Sequence, residues 1–224
     1  MGCILKGGGG LYARVAVGAV LLAAGSGSRL GGRPKSLLEL GGVPLIRRQL
    51  IALSGAGVDE VVVVLGHHAE VIEAAVREFP VTLARNPSPD DGQASSVCIG
   101  LAALSGRLDA VIVALADQPL VNAQDVTALI GAFKKRGAAA MVVPRVNGEP
   151  GNPVIFEAAL RDEWQAGEAN AACRRWREAN PERLLWLDTD NSRYRIDIDT
   201  PEDMQRFTLR TGHTLCWPAE LATD

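Results

Sequence analysis

The chain has 224 residues, of which 47% are hydrophobic and 22% charged, and this suits a soluble globular α/β domain with a core of its own. Its 23 basic and 26 acidic residues leave a net charge of −3, which argues against the basic surface of a nucleic-acid binder. Aromatic residues are only 4% of the chain, so neither base-stacking platforms nor a membrane-interface belt is expected.

Apolar runs and helical spacings alternate along the first two thirds of the chain. Short apolar runs predict buried strands over residues 16–22, 60–65, 81–84, 109–115 and 139–143. Helical spacing predicts helices between them, over residues 44–54, 69–78, 94–104 and 124–135. This alternation is typical of a doubly wound, mostly parallel sheet with helices on both faces, so we predict a single-domain, three-layer, Rossmann-like α/β fold.

The two ends and the last third of the chain are less regular. We predict a disordered extension, a functional domain and a mobile C-terminal tail over residues 1–14, 15–210 and 211–224. Helices are predicted around residues 170–179 and from residue 201, with strand-like runs at residues 184–187 and 194–198. These elements are expected to complete the same domain.

Cysteine and histidine are not arranged as in a disulfide framework or a zinc site. The four cysteines are far apart and form no CxxC pair: Cys3, Cys98, Cys173 and Cys216. They are expected to be reduced thiols in a cytoplasmic protein. His67 and His68 are adjacent and cannot share one helix face, and no HExxH motif follows. The apolar run at residues 15–24 is too short to span a bilayer, so no membrane segment is expected.

The loop after the first strand, LAAGSGSRLGGRPK, concentrates glycine and positive charge. Its glycines leave backbone amides free to face an anion, and they are Gly25, Gly27, Gly31 and Gly32. Arg29 and Lys35 add positive charge beside these amides. Because ligands of open α/β sheets bind beyond the carboxyl ends of strands, the loop is a predicted triphosphate site. A hinge loop without function is the alternative.

Two common phosphate motifs do not fit this loop. A dinucleotide fingerprint requires glycine where Leu30 stands, and a P-loop requires glycine where Pro34 stands. A second polar segment, NPSPDDGQASS, precedes the helix at residues 94–104 and places Gly92, Gln93 and Ser96 at its start. Such residues either cap the helix or face a ligand.

Acidic residues follow two further strands. Asp117 comes directly after the apolar run DAVIVALA, and a carboxylate there is costly unless it is paired or bound to a cation. Magnesium, which prefers carboxylates with phosphate oxygens and water, is the cation expected. In YRIDIDTPEDM, Asp197 and Asp199 are predicted to share one face of a short strand. Asp199 could equally cap the helix that follows.

Four separated motifs occur in a fixed order and carry a family resemblance: LAAGSGSRLGGRPK, NPSPDDGQASSVCIGL, ALADQPLV and DIDTPEDM. The segment from about residue 15 to residue 208 resembles the MobA-like NTP transferases, and most of all their molybdenum cofactor cytidylyltransferases. The resemblance implies a fold of the nucleotide-diphospho-sugar transferase type. It also implies a magnesium-dependent nucleotidyltransferase that moves CMP from CTP to a phosphorylated acceptor such as molybdopterin and releases pyrophosphate.

The same resemblance implies roles for individual residues. It makes Arg29, Lys35 and Asp117 catalytic, and Asp117, Asp199 and Asp197 metal-binding. It assigns nucleotide binding to Leu22, Ala23, Ala24, Gly25, Ser26, Gly27, Asn86, Gly92 and Ser95. It assigns acceptor binding to Gly151, Asn152 and Pro153, although Asn152 stands where the family usually has histidine. The first loop has one residue more than usual between its arginine and lysine.

Other functions stay open at this point. A guanylyltransferase or a sugar-1-phosphate nucleotidyltransferase of the same fold is one, and a non-catalytic nucleotide-binding regulatory module is another. An oxidoreductase with a dinucleotide fold is disfavoured by Leu30 in the fingerprint. The sequence does not specify the acceptor or the oligomeric state, and it indicates no nucleic-acid or membrane partner.

Overall fold

The computed structural model describes residues 14–166 and 173–222 as alternating strands and helices. Its strands are β1 Val17–Ala23, β2 Glu39–Leu40, β3 Val43–Pro44, β4 Glu60–Leu65, β5 Thr82–Arg85, β6 Ala110–Leu115, β7 Met141–Val146, β8 Glu149–Pro150, β9 Val154–Glu157, β10 Leu184–Asp188 and β11 Leu215–Cys216. Its helices are α1 Leu45–Gly55, α2 Ala69–Val76, α3 Gln93–Ala103, α4 Ala123–Lys134, α5 Ala159–Ala166, α6 Cys173–Ala179 and α7 Pro201–Thr211. The strands and helices predicted through residue 143 are confirmed, with bounds shifted by a few residues.

The main sheet is mostly parallel and has β1 near its centre. Its strand order is β10-β7-β9-β6-β1-β4-β5, and β8 pairs with β7. β1 lies parallel to both β4 and β6, so the loops after β1 and β6 leave the sheet side by side, at the carboxyl ends of the parallel strands. β9 is inserted antiparallel between β6 and β7. The predicted α/β class with a mostly parallel sheet is confirmed.

The two faces of this sheet carry separate parts of the core. All seven residues of β1 are buried, and they alternate between the faces as a strand requires. Ala19 and Leu21 pack in the cluster with side chains of α1, α2 and α4. Val20 and Leu22 pack in the cluster with side chains of α3, α5 and α6. The sheet is therefore covered on both sides, which explains the apolar character of its central strands.

A third apolar cluster lies beside the carboxyl ends of β1 and β6. Its buried members are Leu30, Leu38, Leu40, Leu45, Ile198, Phe207 and Leu215. It is bordered by a small sheet in which β11 and β3 flank β2 in antiparallel pairs. This cluster thus contains residues from the glycine-rich loop, from the segment before α7 and from the chain beyond α7.

The segment expected to be a C-terminal tail packs against the domain through Leu215, Trp217 and Leu221. β11 lies within it, and Leu215 is only 4% exposed. Leu215 faces the third cluster while Cys216 faces outward, so the two-residue strand buries one side chain as it pairs with β2. At the other end, residues 1–13 of the predicted extension lie outside the described residues. Arg14 forms an ion pair with Asp59 at 2.8 Å.

The strand predicted over residues 194–198 is wrong. Residues Ser192–Arg195 form a 3-10 turn, and the extended residues after it belong to neither sheet. The amide of Ile198 donates to the carbonyl of Asp117 at 3.1 Å. Together with a bond from the Gln118 side chain to the carbonyl of Tyr194, this backbone bond, rather than a strand ladder, holds the acidic segment at the end of β6. No helix in the described ranges is long and apolar enough to cross a membrane.

Candidate functional site

Three segments meet where the central strands end. They are the glycine-rich loop after β1, the residues that follow β6, and the N-terminus of α3. Between them lies a cleft of about 530 Å³. The cleft is lined by Leu22, Ala24, Gly25, Lys35, Pro89, Gly92, Gln93, Ser96, Leu115 and Asp117. A concavity on the side of the glycine-rich loop, the loop concavity, adjoins the cleft. It is lined by Gly25, Ser26, Gly27, Ser28, Arg29, Lys35 and Asp199.

The glycine-rich loop is held in a fixed shape by its own backbone. The Gly27 carbonyl accepts hydrogen bonds from the amides of Leu30 at 2.8 Å and Gly32 at 3.0 Å. Gly27 has φ +63°, and a Cβ there would lie 1.8 Å from the carbonyl oxygen of Arg33. No other residue fits this position, because both the conformation and the close approach require glycine. The loop therefore offers a rigid concave backbone beside Arg29 and Lys35, as anion binding needs.

Lys35 lies between two carboxylates. Its Nζ contacts Asp117 Oδ2 and donates to Asp199 Oδ1 at 2.6 Å. Arg29 Nη2 lies 3.2 Å from Asp199 Oδ2. The loop after β1, the residue after β6 and the segment before α7 are thus joined by one charged cluster. Its members face the cleft and the loop concavity together.

The two basic and two acidic members of this cluster balance in formal charge, and the nearby carboxylate of Asp197 adds one negative charge. Burial raises the pKa of Asp117 above its ordinary value, against the opposing effect of Lys35. Burial and the nearby charges of Asp117 and Asp199 also raise the pKa of Asp197. Burial lowers the pKa of Lys35, but its ion pairs with Asp117 and Asp199 outweigh this and raise it. The lysine is therefore held charged, and the carboxylates favour additional positive charge nearby.

The N-terminus of α3 opens into the same cleft. Gly92 at its N-cap has φ +93° and supplies no side chain to cap the helix. The first amides of an uncapped helix can bind a negatively charged or carbonyl oxygen of a ligand. Gln93 and Ser96, one turn apart, both line the cleft. Gly92 therefore does not cap the helix, and the first amides of α3 are left open at the cleft.

Asn86 lies beneath this helix and is only 5% exposed. Its amide nitrogen donates to Ser95 Oγ and Ser96 Oγ, both at 2.9 Å. Its oxygen accepts from the amide of Ser88 at 2.9 Å. Because these bonds use the side chain within the protein, Asn86 supports the start of α3 rather than lining the cleft.

A second cavity adjoins the cleft on the side of β9. It is lined by Asp91, Gly92, Gln93, Ala94, Val97, Val113, Leu115, Asn152, Val154, Cys173, Arg174 and Arg175. Gly92, Gln93 and Leu115 line both spaces, so the two are continuous. Arg174 is paired with Glu178 at 3.0 Å, whereas Arg175 has no ion pair or hydrogen bond with the residues that the structure describes.

The predicted site residues do not all line the same space. Leu22, Ala24, Gly25, Gly92, Lys35 and Asp117 line the cleft, and Ser26, Gly27, Arg29 and Asp199 line the loop concavity. Ala23 lines a small space between them, and Asn152 lines the second cavity. Gly151 packs on Tyr194, while Asn86, Ser95 and Pro153 lie behind the walls of these spaces. Asp197 lines a separate surface hollow with Arg195, Arg206 and Arg210.

Several wall residues were not among the predicted site residues. They are Pro89, Leu115, Val97, Val154, Arg174 and Arg175. Leu115 ends β6, so the rule that places sites at strand ends could have found it. Nothing in the local sequence marks the arginines of α6, because a short basic helix is usually a solvated face.

Comparison with known proteins identifies the family of this chain. Residues 19–184 match the sequence profile of the MobA-like NTP transferase domain. The chain belongs to this family. The MobA-like NTP transferases are nucleotidyltransferases, and the family resemblance in the four motifs is thereby confirmed.

Three relatives match this MobA-like protein over most of their own length, whereas it spans about a third of the bifunctional GlmU proteins that it also matches. It is 31% identical to nicotine blue oxidoreductase of Paenarthrobacter nicotinovorans, over 84% of this chain and 94% of that protein. A solved nucleotidyl transferase from Methanothermobacter thermautotroptrophicus is 28% identical with a TM-score of 0.70, covering 88% of this chain and 99% of the other. Rv0371c of Mycobacterium tuberculosis H37Rv is 25% identical with a TM-score of 0.70, covering 86% and 97%. Rv0371c has also been solved in complex with manganese.

Proposed function

We propose that this protein transfers a nucleoside monophosphate from a nucleoside triphosphate to a phosphorylated small molecule and releases pyrophosphate. The observation that carries the proposal is the cluster in which Lys35 joins Asp117 and Asp199 at the mouth of the glycine-rich loop. A triphosphate needs amides and cations, and a metal that accompanies it needs carboxylates. Both sets of groups converge here.

The carboxylates of the cluster suit a hard divalent cation, and we take magnesium as the cation. Asp117 Oδ1 is buried and has no hydrogen-bond partner within the described residues. Such an oxygen is costly unless something else satisfies it. Asp117 and Asp199 would hold the ion, with Asp197 as a neighbouring negative charge. When bound, magnesium would neutralise charge on the phosphates and hold them in line for displacement.

In this reaction the protein positions the substrates and neutralises their charge, and it forms no covalent bond with them. An oxygen of the acceptor phosphate forms a bond to the α-phosphorus, and the bond from that phosphorus to the bridging oxygen of the β-phosphate breaks. Pyrophosphate leaves with the electron pair of the broken bond. Arg29 and Lys35 stabilise the charge that develops on the leaving group, and the amides of the glycine-rich loop hold it in place.

The nucleotide that we favour is CTP. The segments LAAG, GQASS and GNPV resemble the cytidylyl branch of the family more than the guanylyl branch. The base would lie at the α3 end of the cleft, where Gln93, Ser96 and the first amides of the helix supply hydrogen-bonding groups. GTP and a sugar 1-phosphate acceptor are the alternatives within the same fold.

The second cavity is our candidate for the acceptor, and molybdopterin or its molybdenum complex is the acceptor that the family resemblance favours. Its wall combines apolar residues such as Val97 and Val154 with Asn152 and the guanidinium of Arg175. A hydrogen bond to a charged group contributes about 1.5–3 kcal/mol, enough for roughly a tenfold effect on affinity or more. We therefore expect Arg175→Ala to raise the KM of the acceptor about tenfold. The KM of the nucleotide should stay within about twofold.

Arg107→Ala is the control for Arg175, since it removes the same charge from an exposed side chain that does not line the second cavity. Steady-state kinetics with the acceptor that supports turnover measures both effects. Equal effects of the two substitutions on the KM of the acceptor would refute a specific contact by Arg175.

The proposed function is tested by pyrophosphate release. The purified protein is incubated with each of CTP, GTP, ATP and UTP, with a panel of phosphorylated acceptors that includes molybdopterin and sugar 1-phosphates. We expect release with one nucleotide and one acceptor class, loss of release when EDTA removes magnesium, and recovery when magnesium is added back. Magnesium-dependent CTP binding without turnover on any acceptor would instead support the regulatory module.

A second candidate function comes from the relative named nicotine blue oxidoreductase, which this chain matches over 94% of that protein. An oxidoreductase of this kind would need to bind a redox cofactor, and the glycine-rich loop lacks the glycine of a dinucleotide fingerprint at Leu30. Titration with NADH and NADPH separates the two candidates. Binding of either reduced dinucleotide, without pyrophosphate release from any triphosphate, would favour the oxidoreductase.

A further inference from the structure

One arginine of the glycine-rich loop contacts the part of the chain that follows α7. Arg33 belongs to the loop, and its guanidinium carbon lies 4.2 Å from the centre of the Trp217 ring. Its Nη1 donates to the carbonyl of Leu221 at 3.4 Å. The pairing of β11 with β2 fixes the segment that carries both partners. Arg33 is thus bound on two sides by residues that lie far from it in the sequence.

Arg33 also fixes the turn of the loop that faces the ligand. Its Nε donates to the carbonyl of Leu30 at 3.1 Å, which is the last residue of the 3-10 turn. Its own carbonyl lies against Gly27, where a Cβ would approach within 1.8 Å. A shift of Arg33 would therefore move the backbone on both sides of the turn that carries Arg29.

Packing joins the same segment to both halves of the charged cluster. Leu215 and Leu30 are buried in the third apolar cluster, and Trp217 packs against it. Ile198 belongs to this cluster and is directly followed by Asp199. The segment therefore supports the loop that would bind the triphosphate and also the residue that pairs with Lys35.

We infer that the segment of residues 213–222 holds the triphosphate loop in its binding shape, and that Arg33 and Trp217 are positioning residues for the triphosphate. This inference rests on the proposed function, since it takes the loop to bind phosphate. Neither side chain lines the loop concavity, so both act through the loop backbone rather than on the ligand. A cation–π contact of this kind is strong enough to bias a loop by about tenfold in population.

The test uses magnesium tripolyphosphate, a probe that contains no base, and isothermal titration calorimetry on the full chain. We expect Arg33→Ala and Trp217→Leu each to raise the dissociation constant about tenfold. The double variant should bind no more weakly than Arg33→Ala alone, because Arg33→Ala already removes the contact that Trp217→Leu removes. Trp217→Phe keeps an aromatic face and should bind within about twofold of the unsubstituted protein.

Two further measurements separate positioning from general damage. Arg107→Ala is the control, because it removes the same charge from an exposed side chain. Arg107 lies just before β6, at the amino end of the strand and therefore away from the glycine-rich loop. With an active nucleotide, Arg33→Ala and Trp217→Leu should raise its KM while kcat stays within about twofold. Thermal unfolding tests whether each variant is folded at the assay temperature.

The outcomes are distinct. Unchanged tripolyphosphate binding by Arg33→Ala or Trp217→Leu overturns the inference and leaves the proposed function intact. Equal loss in Trp217→Phe and Trp217→Leu also overturns it, since the aromatic face would then have no part in binding. If the unsubstituted protein binds neither tripolyphosphate nor any nucleoside triphosphate, the proposed function fails first and the inference fails with it.

Discussion

Asp117→Asn is expected to lower pyrophosphate release by about 10²–10³-fold or more while the protein stays folded. Asp117 is 8% exposed as a residue and contacts Lys35 through one carboxylate oxygen, and the other oxygen has no partner in the described residues. Asparagine keeps the shape of the side chain but removes the charge that would hold the metal and orient Lys35. Lys35 retains Asp199, so the lysine is not left buried alone.

The stability of this variant separates a chemical role from a structural one. Because burial raises the pKa of Asp117, its charged form is already disfavoured, and removing the charge should change the free energy of unfolding by no more than about 1 kcal/mol. Asp190→Asn, at an exposed carboxylate, is the control and should keep full activity. Turnover of Asp117→Asn within threefold of the unsubstituted protein would contradict the assignment of Asp117.

Much of the candidate site could be predicted because its chemistry lies in continuous segments that follow strands. The loop after β1 and the acid after β6 are each recognisable in a dozen residues. The topology of a parallel sheet then brings them to one edge. Asp199 was also predicted, but for the wrong structural reason. An alternation of period two was interpreted as a strand, whereas a 3-10 turn and isolated hydrogen bonds, among them those from Ile198 to Asp117 and from Gln118 to Tyr194, position this segment.

Other features depend on contacts that no local pattern contains. The contact of Arg33 with Trp217 joins residues 184 positions apart by their numbering, and it exists only because β11 pairs with β2. Asn86 was predicted to bind nucleotide, but its amide nitrogen bonds Ser95 and Ser96, and these two bonds depend on the exact approach of α3. The hairpin of β7 and β8 is different, since its Asn147–Gly148 turn is a signal that the sequence itself contains.

Lys35→Met is expected to affect both activity and stability. Under the proposed function, loss of the cation that would face the β- and γ-phosphates should reduce turnover by about 10²–10³-fold. The substitution also leaves Asp117 buried without its partner, which commonly destabilises a protein by about 3–5 kcal/mol. Asp199 is more exposed and keeps Arg29, so most of the penalty should come from Asp117.

This penalty should depend on pH in a defined direction. Without Lys35, burial raises the pKa of Asp117 in the folded protein further above its value in the unfolded chain. The folded state then binds a proton that the unfolded state releases, so the free energy of unfolding falls as pH rises between the two pKa values. Below the unfolded value of 3.8 the variant should lose little stability from this source. Urea unfolding in EDTA across this pH range measures the effect.

The double variant Lys35→Met/Asp117→Asn distinguishes the two losses. Replacing both partners removes the buried charge together with its counter-ion, and such a replacement is often neutral for stability or better. The double variant should therefore recover most of the unfolding free energy that Lys35→Met loses, and the pH dependence should disappear with the carboxyl group. Turnover should stay as low as in either single variant. The double variant lacks both the positive charge of Lys35 for the phosphates and the negative charge of Asp117 for the metal. Recovery of turnover together with stability would mean that Lys35 and Asp117 serve the fold alone.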